Sequence, residues 1–104
     1  MKWLEIIVLR TAGNREPVGH HLEEIAGSLS ASGLTQGILY KNAGFAGDFA
    51  LILNWDTKEL RPWGSDLALS LKEVLKQKGL VDHSVWITGE KEKRQNERKE
   101  DKDL

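Results

Sequence analysis

Hydrophobic and polar positions alternate between two periods along this chain. Residues 3–10 (Trp-Leu-Glu-Ile-Ile-Val-Leu-Arg) are β-branched or large and apolar, and too few for a typical helix; they predict a strand. Gly13 and Asn14 punctuate a turn, and Pro17 suits the first turn of a helix, where its missing N–H costs nothing. Val18, Leu22, Ile25 and Leu29 then recur at helical spacing on one stripe, with Gly33 as the stop and Leu34 covering the last turn. The period returns to two in residues 37–42 and 48–55, two strands joined by the glycine-bearing hairpin loop 43–47. Ser65 or Asp66 caps a second helix in which Leu67, Leu71, Val74 and Leu75 share a face, ended by Lys76, Lys78 and a Gly79–Leu80 cap. Residues 83–88 (His-Ser-Val-Trp-Ile-Thr) predict a fourth strand.

The order is βαββαβ. Two right-handed strand–helix–strand units of this kind interleave into one antiparallel sheet with both helices on one face, the ferredoxin-like α+β arrangement. Such a sheet should turn a polar face to water, and this one does not. In the third strand Phe49, Leu51, Leu53 and Trp55 oppose Ala50, Ile52 and Asn54; in the first, Leu4, Ile6 and Val8 oppose Trp3, Ile7 and Leu9, with Glu5 the polar exception. An uncovered apolar face of several hundred Å² is large for a monomer, and a second copy pressed sheet to sheet is the simplest cover. The chain is therefore expected to be a homodimer. Ile7, Leu9 and Ile52 are the candidates for the second face, and Phe45 at the hairpin tip is placed to reach across.

The βαββαβ order, the GDFALILNWD third strand and the PWGSDLALSLKEVLKQKGLVDHSVW helix–strand run resemble the dimeric α+β barrel superfamily over roughly residues 2–89. That group includes the antibiotic-biosynthesis-monooxygenase-like and stress-responsive barrel domains. The resemblance implies a dimer whose two sheets form a shared barrel, with a small-molecule pocket in each subunit between sheet and helices. Members include cofactor-independent oxygenases, isomerases and haem-degrading enzymes, and fold alone does not select among them. The haem-degrading scheme uses an asparagine, a tryptophan and a histidine on the second helix. Residues 66–78 contain no histidine, and adjacent Asn54 and Trp55 alternate faces, so those roles are not carried over.

Composition narrows the function classes. The 104 residues suit one domain, with 15 Lys+Arg against 16 Asp+Glu and no cysteine. There is no disulfide framework, thiolate metal site or cysteine nucleophile, and no basic excess for nucleic acid. The longest early apolar run, Ile6 to Leu9, is too short for a secretory core or a membrane span, which predicts a cytoplasmic protein. Charge is concentrated at the end: residues 90–104 carry six acidic and six basic side chains and Leu104 as their sole hydrophobic. The reading is a folded unit over 1–89 and a charged tail over 90–104, a solvated helix or disordered.

The candidates for chemistry are few. His21 lies at the margin of the first helix stripe, and imidazole is the side chain that exchanges protons near neutrality, so His21 is the candidate acid or base. Tyr40 offers a phenol, and Trp63, after Pro62 and just before the second helix, is placed to stack on a planar ligand over the sheet–helix cleft or to plug that cleft. His20 and Glu24 share a helix face, but two ligands make no metal site, so neither metal nor cofactor is expected. His83 faces Asp82 or a dimer partner; Asp82, His83 and Ser84 are consecutive on a strand and point apart, so they form no triad. No GxGxxG or Walker pattern is present. The alternative function is a regulatory, amino-acid-binding module of the ACT type, which shares the βαββαβ order and binds at the subunit boundary near Gly13–Gly19.

Overall fold

The computed structural model describes residues 1–11 and 16–89. The turn expected at Gly13 and Asn14 and the charged tail 90–104 lie outside the described residues. The elements run β1 (Lys2–Thr11), α1 (Glu16–Ser28), β2 (Leu34–Lys41), β3 (Asp48–Asp56), α2 (Asp66–Leu75) and β4 (Gly79–Ile87). The four strands form one antiparallel sheet in the order β2-β3-β1-β4, so the two most apolar strands are the central pair.

Burial alternates with period two along β1 and β3. Trp3, Ile7 and Leu9 of β1 and Phe49, Leu51, Leu53 and Trp55 of β3 form one core with Leu22 of α1 and Ala68, Leu71 and Leu75 of α2. Both helices therefore cover the same face. Register fixes the opposite face: Leu4 lies across from Asn54 and Trp86, Ile6 from Ile52 and Ser84, and Val8 from Ala50 and Asp82, while β2 adds Ile38 and Tyr40. No element of the chain covers this second face among the described residues.

Three boundaries differ from the sequence expectation. α1 ends at Ser28, so Gly33 belongs to the turn ahead of β2 and Leu34 is already strand; Leu29, past the helix end, still packs on the core. α2 stops at Leu75, with Lys76 as its C-cap, and Gly79 opens β4. Gly79 is required by close approach: a Cβ there would lie 2.1 Å from the carbonyl oxygen of Arg10, on the paired strand. Along α2 the buried stripe is Ala68, Leu71 and Leu75, while Val74 is turned outward at 44% exposure. Among the described residues no helix is long and apolar enough to cross a membrane.

Candidate functional site

A fully buried acid stands at the centre of the sheet. Glu5, 0% exposed, points from β1 into the helix-covered layer between Trp3 and Ile7. An isolated buried carboxylate is heavily penalised, so its partners decide whether it is tolerated. Here Oε1 accepts from Trp55 Nε1 at 2.8 Å and from Ser65 Oγ at 2.6 Å. Oε2 accepts from the Ser65 backbone N–H at 3.0 Å and lies 2.9 Å from His83 Nε2. Three donors and the His83 ring, from three parts of the fold, thus surround one carboxylate, and four contacts is the number its lone pairs take.

Local sequence explains how each donor arrives. Ser65 is the N-cap of α2: its backbone is extended and its Oγ accepts from Ala68 N–H at 3.1 Å while donating to Glu5. The positive end of the α2 dipole faces the carboxylate. Gly64, at φ +116°, makes the turn into the cap; a Cβ there would come within 2.3 Å of His83 Cε1. The His83 ring is therefore seated against bare backbone, with its side chain 5% exposed. Register puts His83 opposite Ile7 on β1, the strand that separates β4 from Trp55 on β3.

The residues expected to form a site are dispersed. His21 is exposed on α1, and Trp63, at 67% exposure, neither plugs nor caps the core. Tyr40 is on the uncovered face, at 51% exposure, on the other side of the sheet from both. Ile7 and Leu9, expected on the second face, are each 1% exposed beneath the helices, because the β1 parity that contains Glu5 is the core parity. Ile52, opposite Ile6, lies on the uncovered face. Phe45 stands at the hairpin tip, 70% exposed, in a loop held by Asn42 Oδ1, which accepts from Gly44 N–H and Phe45 N–H. His20 is exposed as well. No group of three His, Cys, Asp or Glu side chains able to hold a metal ion occurs among the described residues.

The layer between sheet and helices, where a pocket was expected, is occupied. Trp3 and Trp55 stack there with centroids 5.4 Å apart and planes 14° from parallel. A cleft of about 160 Å³ persists at its margin, bordered by Trp3, Trp55, Ala31, Arg61 and Ser65. Larger hollows lie on the uncovered face. One of about 620 Å³ at the β1 start is bordered by Lys2, Leu4, Gln36, Asn54 and Trp86, whose Nε1 donates to Ser84 Oγ at 2.8 Å. One of about 210 Å³ at the other end is bordered by Val8, Arg10, Tyr40 and Asp48.

Comparison of the chain with protein-family models, with curated proteins and with solved structures gives no match. The chemistry of the site rests on its own residues. Sequence reasoning passed over Glu5, Ser65 and His83 as a set. Their one signal was Glu5 itself, a lone carboxylate inside an otherwise apolar strand; its partners are 50, 60 and 78 residues away.

Proposed function

We propose that this chain is a small-molecule-binding domain that works as a homodimer through the uncovered sheet face, after the manner of the dimeric α+β barrel superfamily. The supporting observation is the unbroken apolar strip Leu4, Ile6, Val8, Ile52, Ala50 and Ile38 along that face, flanked by exposed Trp86 and Tyr40. Strands of 8 to 10 residues, at roughly 3.3 Å per residue and 4.8 Å between strands, give a face of roughly 600 Å². A facing pair would bury roughly 1,200 Å², above the roughly 1,000 Å² of a specific interface. Two-fold pairing closes over the end hollows, and Trp86 with the Asn54 and Gln36 amides suits a planar organic ligand with polar edges. The enzymatic form of this reading is a cofactor-independent, monooxygenase-like reaction.

Light scattering at micromolar concentration tests the assembly: a dimer is expected, and Ile52→Lys should give a folded monomer. A wild-type monomer would overturn the reading. A thermal-shift screen with aromatic and polyketide-like compounds, haem and amino acids tests the ligand, with Trp86→Ala expected to abolish the shift.

The ACT-type alternative has one observation in its favour. Gly19 is buried, its would-be Cβ 3.5 Å from Phe49, beside a hollow of about 440 Å³ bordered by His20, Glu23, Lys41 and Asn42. Stabilisation by amino acids alone, lost on Gly19 substitution and retained by Trp86→Ala, would select it.

A further inference from the structure

The Glu5 cluster leaves one polar atom uncommitted. Trp55 Nε1, Ser65 Oγ and Ser65 N–H already serve the carboxylate, and each is used up in doing so: Ser65 Oγ also accepts from Ala68, and the indole has a single donor. His83 is different. With Glu5 as a carboxylate, which only accepts, the proton of the His83–Glu5 contact sits on Nε2, and a neutral ring then carries a lone pair on Nδ1. Among the described residues Nδ1 has no hydrogen-bond partner, yet it is not among their buried polar atoms left without one; Trp3 Nε1 is the example of that kind. The 5% of the His83 side chain that water reaches therefore includes the second ring nitrogen.

From this geometry we infer that His83 is a general-base site, with Glu5 as its positioning residue, for small weakly acidic organic molecules such as phenols and enolisable carbonyl compounds. The Nδ1 lone pair takes the proton of the O–H or C–H bond, the bonding electrons stay on the ligand as phenolate or enolate, and the proton returns from Nδ1 to the ligand or to water. The imidazolium formed in between has its charge offset by the Glu5 carboxylate 2.9 Å from Nε2. The step needs no oxidant. Ring orientation is fixed at both ends, by Glu5 at Nε2 and by the Gly64 backbone against Cε1. Trp63, next to Gly64 in the chain and 67% exposed, supplies an aromatic surface at the same turn. Because His83 belongs to the helix-covered side, pairing of the opposite face with a second copy does not cover it.

Carbethoxylation by diethyl pyrocarbonate, read histidine by histidine by mass spectrometry on the whole chain, tests the inference. His20 and His21, both exposed, are the internal references. His83 should react despite its burial, and in Glu5→Gln it should react more slowly, because the ring loses the anionic partner at Nε2. The references should keep their rates. An unreactive His83, or one whose rate is the same in folded Glu5→Gln, overturns the proposal. Should Glu5→Gln fail to fold, the wild-type chain decides by long-range ¹H–¹⁵N spectra. The proposal requires a protonated Nε2, a bare Nδ1, and an Nδ1 resonance that moves on addition of phenol while those of His20 and His21 stay put. A protonated Nδ1 in the neutral ring, or no response to phenol, overturns it.

Discussion

Trp3 and Trp55 are register partners on the central strands and stack in the core, yet their indole N–H groups meet different fates. Trp55 Nε1 donates to the buried Glu5 carboxylate; Trp3 Nε1 is buried with no partner. An unpaired buried donor carries its full desolvation penalty, whereas a hydrogen bond to a charged group contributes roughly 1.5–3 kcal/mol. Replacing either indole by a phenyl ring removes similar area, so packing loss is alike and the polar part differs. Trp55→Phe should therefore be more destabilising than Trp3→Phe by about 2 kcal/mol. Urea unfolding of the two variants measures the difference, and equal midpoints would mean that the Trp55–Glu5 bond contributes nothing net.

Among the elements, α2 is tied to the sheet by its cap. Ser65 Oγ serves both the first turn of the helix and the carboxylate of β1, so loss of the hydroxyl breaks two bonds at one atom. Ser65→Ala should cost about 2–4 kcal/mol, a lost cap plus a donor removed from a buried acid. Ser65→Asp separates the two roles. Aspartate caps helices as well as serine does, so an ordinary cap would tolerate it. Here it would set a second carboxylate where Ser65 Oγ is 2.6 Å from Glu5, and it should be worse than alanine. A chemical-denaturation series of the three proteins decides, and an aspartate variant as stable as wild type would sink the anchoring role. The cap was legible in the chain, because Ser-Asp ahead of an apolar helical stripe is a local signal. So was β3, expected over 48–55 and found as Asp48–Asp56, since a short apolar run bounded by turn signals is local too. The start of β4 was not. Gly79 has the form of a helix stop in sequence, and only the approach of the Arg10 carbonyl shows that it is a strand residue. Glu5 was illegible for the same reason: its donors converge only once the sheet and α2 have assembled, so in the sequence it is no more than the polar exception on a face expected to meet a second copy.

At the scale of the whole molecule, strand parity decides which half of β1 faces what. Ile6 and Ile7 are neighbours of identical chemistry, but the strand period sends them to opposite sides. Ile7 is 1% exposed in the core, while Ile6 sits on the uncovered face opposite Ile52. Truncating Ile7 to alanine removes contacts that exist within one chain, so it should cost about 2–5 kcal/mol at every protein concentration. Truncating Ile6 acts on the uncovered face, where the proposed partner supplies most of the contacts. Its effect should therefore fall mainly on the part of stability that comes from association, which grows with protein concentration by mass action. Thermal unfolding across a hundredfold range of concentration separates the two. The wild type and Ile7→Ala should both rise in Tm as concentration increases, with Ile7→Ala displaced downward throughout. Ile6→Ala should flatten that rise while staying near wild type at the dilute end. If the wild-type Tm does not move with concentration, the uncovered face is not paired with a second copy, and its apolar strip must serve a ligand or a different partner.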